Sequence, residues 1–153
     1  MVMCCPLSGG DGDGPSFYVE EIRRAAKTHQ CGECREDIVK GTRYENAKGL
    51  WDGYISTHKT CLSCREIRNH FACSSGFYFE RLWDDLEENF FPHMTAGGPC
   101  FEGLSVAARL RLFERRLAWF ADLSKRQRLQ ILQTKPHYQK ERRDDEISVS
   151  WND

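Results

Sequence analysis

Two identically spaced cysteine pairs constrain this chain more than any other feature of its sequence. Cys31 and Cys34 form the first pair, Cys61 and Cys64 form the second, and two residues separate the cysteines of each pair. This spacing lets both sulfur atoms of a pair face one point, and four thiolates suit a tetrahedral zinc ion. The sequence therefore predicts a structural zinc site that is closed to water.

The sequence leaves other uses of these cysteines open. An iron or iron–sulfur site also accepts four cysteine ligands, and disulfides would form if the protein were secreted. However, the N-terminus lacks the basic and apolar regions of a secretory signal, and no apolar run approaches the roughly 20 residues of a membrane span. We therefore expect a cytoplasmic protein without a membrane segment, in a compartment where paired thiols more often bind metal.

Residues near the two pairs offer further candidate ligands and charges. His58 or His70 could replace a cysteine, but with four cysteines present we expect each to lie at the surface or beside the ligands. Arg35 and Arg65 each follow a ligand cysteine and are expected to offset the charge of the thiolates. The remaining cysteines have no regular partner spacing, and Cys73 and Cys100 are expected to be buried as small hydrophobic side chains, with Cys4 and Cys5 in a flexible N-terminus.

Residues 16–76 are predicted to form a zinc-finger domain of α+β class. A leading helix over residues 17–27 would begin after Ser16 as its N-cap. The first cysteine pair follows, with Gly32 suited to its tight turn. A β-hairpin that turns at the sequence NAKG comes next, and then a helix with Thr60 as its N-cap.

Residues 77–135 are predicted to form a helical region. Its longest helix has apolar residues at steps of four and three, namely Val106, Leu110, Phe113, Leu117 and Phe120. Ser124 and Gln127 form a capping box for the last helix. Residues 1–15 are expected to be flexible and residues 136–153 to be a polar, disordered tail.

The order of knuckle, hairpin and helix is that of a treble-clef zinc finger. The chain from residue 31 to about residue 90 resembles the small treble-clef fingers of phage and prophage proteins, and it is similar to the first half of LIM-type fingers. The resemblance is carried by CxxCxxxIxxGxxY, GxWDG and TCxxC, that is by Cys31, Cys34, Ile38, Gly41, Tyr44, Trp51, Asp52, Gly53, Cys61 and Cys64. It implies a zinc cofactor and an adaptor or nucleic-acid-associated role.

Charge is unevenly distributed along the chain, although the net charge is only −1. Residues 105–143 carry 11 basic and 3 acidic side chains, whereas residues 144–153 carry 4 acidic ones and no basic one. The candidate contacts to nucleic acid or to a partner protein are Arg109, Arg115, Arg116, Arg126 and Arg128. The pI near 6.5 is not typical of a dedicated nucleic-acid binder, so we expect a protein partner, with nucleic acid as the alternative.

Catalysis is the third class of function. Some HNH nucleases are built on a treble clef, and His58, Asn69 and His70 offer their residue types. Both histidines would crowd the structural metal, and a four-cysteine site leaves no open position for water. We therefore expect a non-enzymatic binding protein. The phage resemblance adds one version of this role, an inhibitor of a host enzyme in the host cytoplasm. The sequence does not determine the oligomeric state.

Overall fold

The computed structural model describes residues 5–7, 9, 14–72, 76–94 and 98–133. The predictions for Cys4, for Cys73 and for residues 136–153 concern positions outside this range. Within it, two small antiparallel sheets precede four α-helices, so the structure is of mixed α/β class.

A three-stranded sheet with the order β1–β4–β5 forms the first half of the fold. The strands of the chain are β1 (Phe17–Arg24), β2 (His29–Gln30), β3 (Asp37–Ile38), β4 (Arg43–Trp51) and β5 (Tyr54–Cys61). The prediction that NAKG forms the hairpin turn is wrong, because those residues lie inside β4. Asp52 and Gly53 make the turn, with φ angles of 48° and 81°. Two positive φ angles give a turn whose twist matches that of the paired strands, and Asp-Gly favours it.

The helix predicted for residues 17–27 is also wrong, because this segment begins with β1. The strand pairs antiparallel with β4 along its whole length, from Phe17 opposite Leu50 to Arg24 opposite Arg43. All eight of its side chains are exposed, so burial does not select the strand. Pairing with β4 satisfies the backbone groups that face that strand, and aromatic and branched side chains suit a strand. This long-range partner is invisible to local periodicity.

The helices follow the second half of the sheet. They are α1 (Leu62–Phe71), α2 (Leu82–Asn89), α3 (Val106–Asp122) and α4 (Lys125–Gln133). Thr60 is not the N-cap of α1, as predicted, since Cys61 holds that position without a side-chain cap hydrogen bond. The predicted capping box of α4 is confirmed. The backbone N–H of Ser124 donates to Gln127 Oε1 at 3.0 Å, and the N–H of Gln127 donates to Ser124 Oγ at 3.3 Å.

One continuous core joins the region of the finger to the helices that follow it. Its members include Ile67 and Phe71 of α1, Leu82 and Leu86 of α2, and Ala108 and Leu112 of α3. The N-terminal segment, which was expected to be flexible, contributes as well. Leu7 is buried in this core, and Asn89 donates from Nδ2 to the carbonyl oxygen of Pro6 at 3.1 Å. Cys5 and Cys100 are each disulfide-bonded.

The predicted apolar stripe of α3 lies largely on its solvent side. Val106, Leu110 and Leu117 are 73%, 57% and 66% exposed. The opposite side, with Ala108 and Leu112, is buried against α1. Small and short side chains on that side allow the two helices to approach closely. The helix itself was predicted, but the choice of its buried face was not.

Candidate metal centre

The four cysteines of the two predicted pairs converge on one point. Their Sγ atoms all lie within 4.8 Å of one another, and those of Cys34 and Cys61 are 4.0 Å apart. Cys31, Cys34 and Cys64 are buried, and Cys61 is half-buried. A tetrahedral ion with bonds of about 2.3 Å to sulfur separates its ligand atoms by about 3.8 Å. The cluster therefore has the donor atoms and the dimensions to bind a metal ion.

The first cysteine pair sits in a tight knuckle that follows β2. The backbone N–H of Cys31 donates to the carbonyl of Glu36 at 2.9 Å, and the N–H of Arg35 donates to the carbonyl of Cys31 at 3.0 Å. Arg35 adopts a φ of 63°, in the left-handed region. Gly32 has no such angle, and a Cβ there would meet nothing closer than 3.4 Å. The special backbone position is therefore Arg35, and the role predicted for Gly32 is wrong.

The second pair lies where β5 passes into α1. Cys61 is the last residue of the strand, and Cys64 lies in the first turn of the helix. The backbone N–H of Cys61 donates to Cys31 Sγ at 3.3 Å. The partial positive charge of a helix N-terminus therefore faces the sulfur atoms and favours their thiolate form.

The protonation of the four thiols is strongly coupled. Hydrogen bonds from Cys34, Cys61 and Cys64 lower the pKa of Cys31. Hydrogen bonding to Cys31 and Cys34 raises the pKa of Cys64, because protonated Cys64 acts as a donor to its neighbours. Four thiolates at this separation repel one another, and a bound cation removes that repulsion. The arrangement therefore suits a divalent metal ion chemically as well as geometrically.

Arg35 and Arg65, which the sequence suggested as charge partners of the thiolates, each pair with a carboxylate of this chain. Arg35 pairs with Glu80 at 3.6 Å, and Arg65 pairs with Glu45 at 2.9 Å. Arg111 of α3 interacts electrostatically with the thiolates of Cys34, Cys61 and Cys64. Burial lowers its pKa, but the ion pair with Glu36 and the thiolates outweigh burial, so the pKa of Arg111 is raised.

Four of the five arginines proposed as partner contacts donate to backbone carbonyls of this chain. Arg109 donates to Leu104 at 3.0 Å, Arg115 to Cys34 at 3.0 Å, Arg116 to Phe91 at 3.2 Å, and Arg128 to Ala121. Burial lowers the pKa of Arg116. Arg126 is exposed. Arg115 and Arg116 therefore link α3 to the distant residues Cys34 and Phe91.

The two candidate histidines lie outside the cysteine cluster. His58 projects from β5 and stacks on Phe79, with ring centroids 4.3 Å apart and planes 1° from parallel. Its Nδ1 lies 3.4 Å from a carboxylate oxygen of Glu80. His70 lies near the end of α1, and its Nε2 is 2.7 Å from the carbonyl oxygen of Cys100. Among the described residues, only the four cysteines form a group with the geometry of a metal site.

Sequence reasoning missed Glu33, which lies between the first two cysteines. Its carboxylate accepts the backbone N–H of Glu80 at 3.1 Å and that of Leu82 at 3.0 Å. Burial raises the pKa of Glu33, and these two N–H donors oppose the increase. Glu33 thus caps the start of α2 from 47 residues away and fixes the knuckle to the helical region. No local signal could have indicated this contact.

Comparisons with protein-family models, with curated proteins and with solved structures found no match to the chain. No helix in the described part of the chain combines the length and apolar character needed to cross a membrane.

Proposed function

We propose that this protein is a zinc-dependent binding module whose helical half docks on another protein. The observation that carries the zinc assignment is the convergence of four sulfur atoms within 4.8 Å. All-sulfur donor sets with this spacing suit zinc, and a closed set of four ligands serves structure rather than catalysis. The knuckle, the β4–β5 hairpin and α1 further support assignment to the treble-clef class.

The α3–α4 face is the proposed docking surface. We define it by its large exposed apolar side chains, which are Val106, Leu110, Leu117, Leu129 and Leu132. Val106, Leu110 and Leu117 share one side of α3 by their helical spacing, and exposed large apolar side chains are typical of interaction sites. Lys125 and Arg126 are exposed beside them. The matching partner is therefore a protein with an apolar groove whose rim carries carboxylates, because such a rim would complement the two cations.

Nucleic-acid binding is the second candidate, supported by the excess of basic residues in α3 and α4. Affinity for phosphate requires several cations that are free to neutralise it. Arg115 and Arg116 are half-buried and donate to carbonyls of the chain, which restricts their reach toward a phosphate. The exposed apolar residues of the α3–α4 face also have no use on a phosphate backbone. Both points favour a protein partner.

A matched pair of double variants tests the docking surface. Leu110→Asp with Leu117→Asp places charge on the α3–α4 face, whereas Ala107→Asp with Ala118→Asp places the same charge on exposed positions of another side of α3. Both variants should retain metal content and melting temperature. We expect a protein that cross-links to the wild-type chain to be lost with the first variant and kept with the second.

Three results would contradict this function. Equal capture of the same protein by both variants would exclude the α3–α4 face. A doubled mass of the wild type alone in light scattering would assign the face to a second copy of the chain. Retention on DNA or RNA that falls steeply with salt, and that Lys125→Ala with Arg126→Ala abolishes, would favour the nucleic-acid alternative.

A further inference from the structure

An aromatic pocket lies between the three-stranded sheet and the segment that precedes α2. Its volume is about 500 Å³. It shares no residue with the α3–α4 face or with the four cysteines, so it is a separate site. The lining residues that matter for its chemistry come from the sheet and from the segment before α2. They are Tyr18 and Glu20 of β1, Trp51 of β4, His58 of β5, and Phe77 and Phe79 of that segment.

Three of these rings are arranged around a common point. The ring centroids of Tyr18 and Trp51 are 6.1 Å apart, those of Trp51 and Phe79 are 6.1 Å apart, and those of Tyr18 and Phe79 are 6.5 Å apart. One cation seated against this triangle can come within about 6 Å of all three centroids, the range in which the π-electrons of a ring attract positive charge.

Neighbouring residues position the rings of the pocket. Gly49 leaves the room that the Trp51 ring occupies, because a Cβ on Gly49 would lie 2.5 Å from that ring. The buried guanidinium of Arg68 lies 4.3 Å from the centroid of Phe77 and 5.0 Å from that of Phe79. These neighbours position the rings before any ligand arrives, which lowers the entropy that binding must overcome.

The charges near the pocket are paired with one another, and one carboxylate lies in the pocket wall. The positive charge of Arg68 is matched by Glu45, whose two carboxylate oxygens accept its N–H groups at 2.8 and 2.6 Å. Glu20 places a partly exposed carboxylate in the pocket wall, accepts the hydroxyl hydrogen of Tyr18 at 2.8 Å and pairs with Arg65 at 3.6 Å. Burial and this hydrogen bond raise the pKa of Tyr18, so its ring stays neutral. The wall therefore offers aromatic rings and a carboxylate.

We propose that this pocket binds a methylated ammonium group, carried either by a small quaternary amine or by a trimethylated lysine side chain. A plain ammonium is strongly hydrated and needs hydrogen-bond acceptors for each N–H. A methylated ammonium presents only C–H groups to ring faces and keeps its charge. The pocket, with many rings and few acceptors, suits the second chemistry.

The decisive comparison uses two ligands of equal shape. Choline and 3,3-dimethyl-1-butanol differ in charge but not in outline, so titration of each into the zinc-loaded full chain separates attraction to the cation from simple apolar burial. We expect choline to bind at least about tenfold more tightly than the neutral alcohol. The NMR shifts of the Trp51 indole report the binding of each ligand. N-acetyl-trimethyllysine amide, compared with choline and with unmethylated N-acetyl-lysine amide, distinguishes the two sources of the group.

Variants locate the binding. Gly49→Ala should displace the Trp51 ring and abolish choline binding, whereas Trp51→Phe should retain part of it. Glu20→Gln keeps the shape of the wall and should weaken choline about fivefold or more without affecting the neutral alcohol. Tyr54→Ala is the matched control, because Tyr54 lies opposite Trp51 in the hairpin but is 77% exposed and does not line the pocket.

The proposal fails if 3,3-dimethyl-1-butanol binds as tightly as choline, or if neither binds while the chain keeps its metal and its melting temperature. Binding that Tyr54→Ala removes and Gly49→Ala leaves unchanged would place the ligand elsewhere. A mononucleotide that shifts the Trp51 signal where choline does not would replace the cation by a stacked base.

Discussion

Arg115 of α3 donates to the carbonyl oxygen of Cys34 at 3.0 Å, and its guanidinium lies 4.8 Å from the centroid of the Trp83 ring. The side chain of Arg115 thereby links α3 to α2 and to the segment that holds Cys31 and Cys34. The sequence offered Arg115 as a contact to a partner, and the structure shows contacts of its side chain within this chain. Its loss should be measured as lost stability of the chain, not as lost affinity for phosphate.

Arg115→Ala should therefore lower the free energy of unfolding by about 1–3 kcal/mol, because a charge-assisted hydrogen bond and a cation–π contact disappear. Urea denaturation followed by circular dichroism measures this change. Arg126→Ala, at an exposed position of α4, is the matched control and should change stability by less than about 0.5 kcal/mol. Equal effects of the two substitutions would show that the contact to Cys34 contributes nothing.

Removal of the metal should unfold the finger, because binding free energy at a structural zinc site is also folding free energy. Elemental analysis should find one zinc per chain, and a strong chelator should abolish the cooperative thermal transition. Cys64→Ser should lose the metal, whereas Thr57→Ser, exposed on β5, should keep it. Iron in place of zinc, or a Cys64→Ser protein with full metal content, would contradict the assignment.

Glu33→Ala should destabilise the chain by about 1–3 kcal/mol, since the backbone N–H groups of Glu80 and Leu82 lose their shared acceptor. Glu33→Gln keeps one acceptor oxygen and should cost less. Glu88→Ala, on the exposed side of α2, provides the control. Hydrogen exchange gives the sharper readout, because only the Glu33 variants should increase exchange at the start of α2. Unchanged exchange there would remove the capping role.

Gly41→Ala should cost about 1 kcal/mol or more, because Gly41 has a φ of 91° that alanine adopts only with strain. The added methyl group itself meets nothing within 4 Å, so any loss reports backbone strain rather than a clash. Gly14→Ala adds a methyl group in equally open space without a positive φ and should be close to neutral. A neutral Gly41→Ala would mean that this loop relaxes freely.

Local chemistry determined what the sequence alone could predict. The spacing of Cys31, Cys34, Cys61 and Cys64 lets both sulfur atoms of each pair face one point, and the structure brings the two pairs together. The capping box of Ser124 and Gln127 also follows from neighbouring residues. Such features depend on a few adjacent dihedral angles, so distant parts of the chain have little influence on them.

Tertiary structure decided the strand β1, the buried side of α3 and the contacts of the arginines, because the alternatives at each place were close in local energy. The periodicity of residues 17–27 fits a helix, but pairing with β4 satisfies the backbone and makes a strand. The stripe of α3 was visible in the sequence, yet the side with Ala108 and Leu112 became the buried one. Whether an arginine meets a carbonyl or a partner depends on which segments lie beside it, and only the packing of the whole chain determines that.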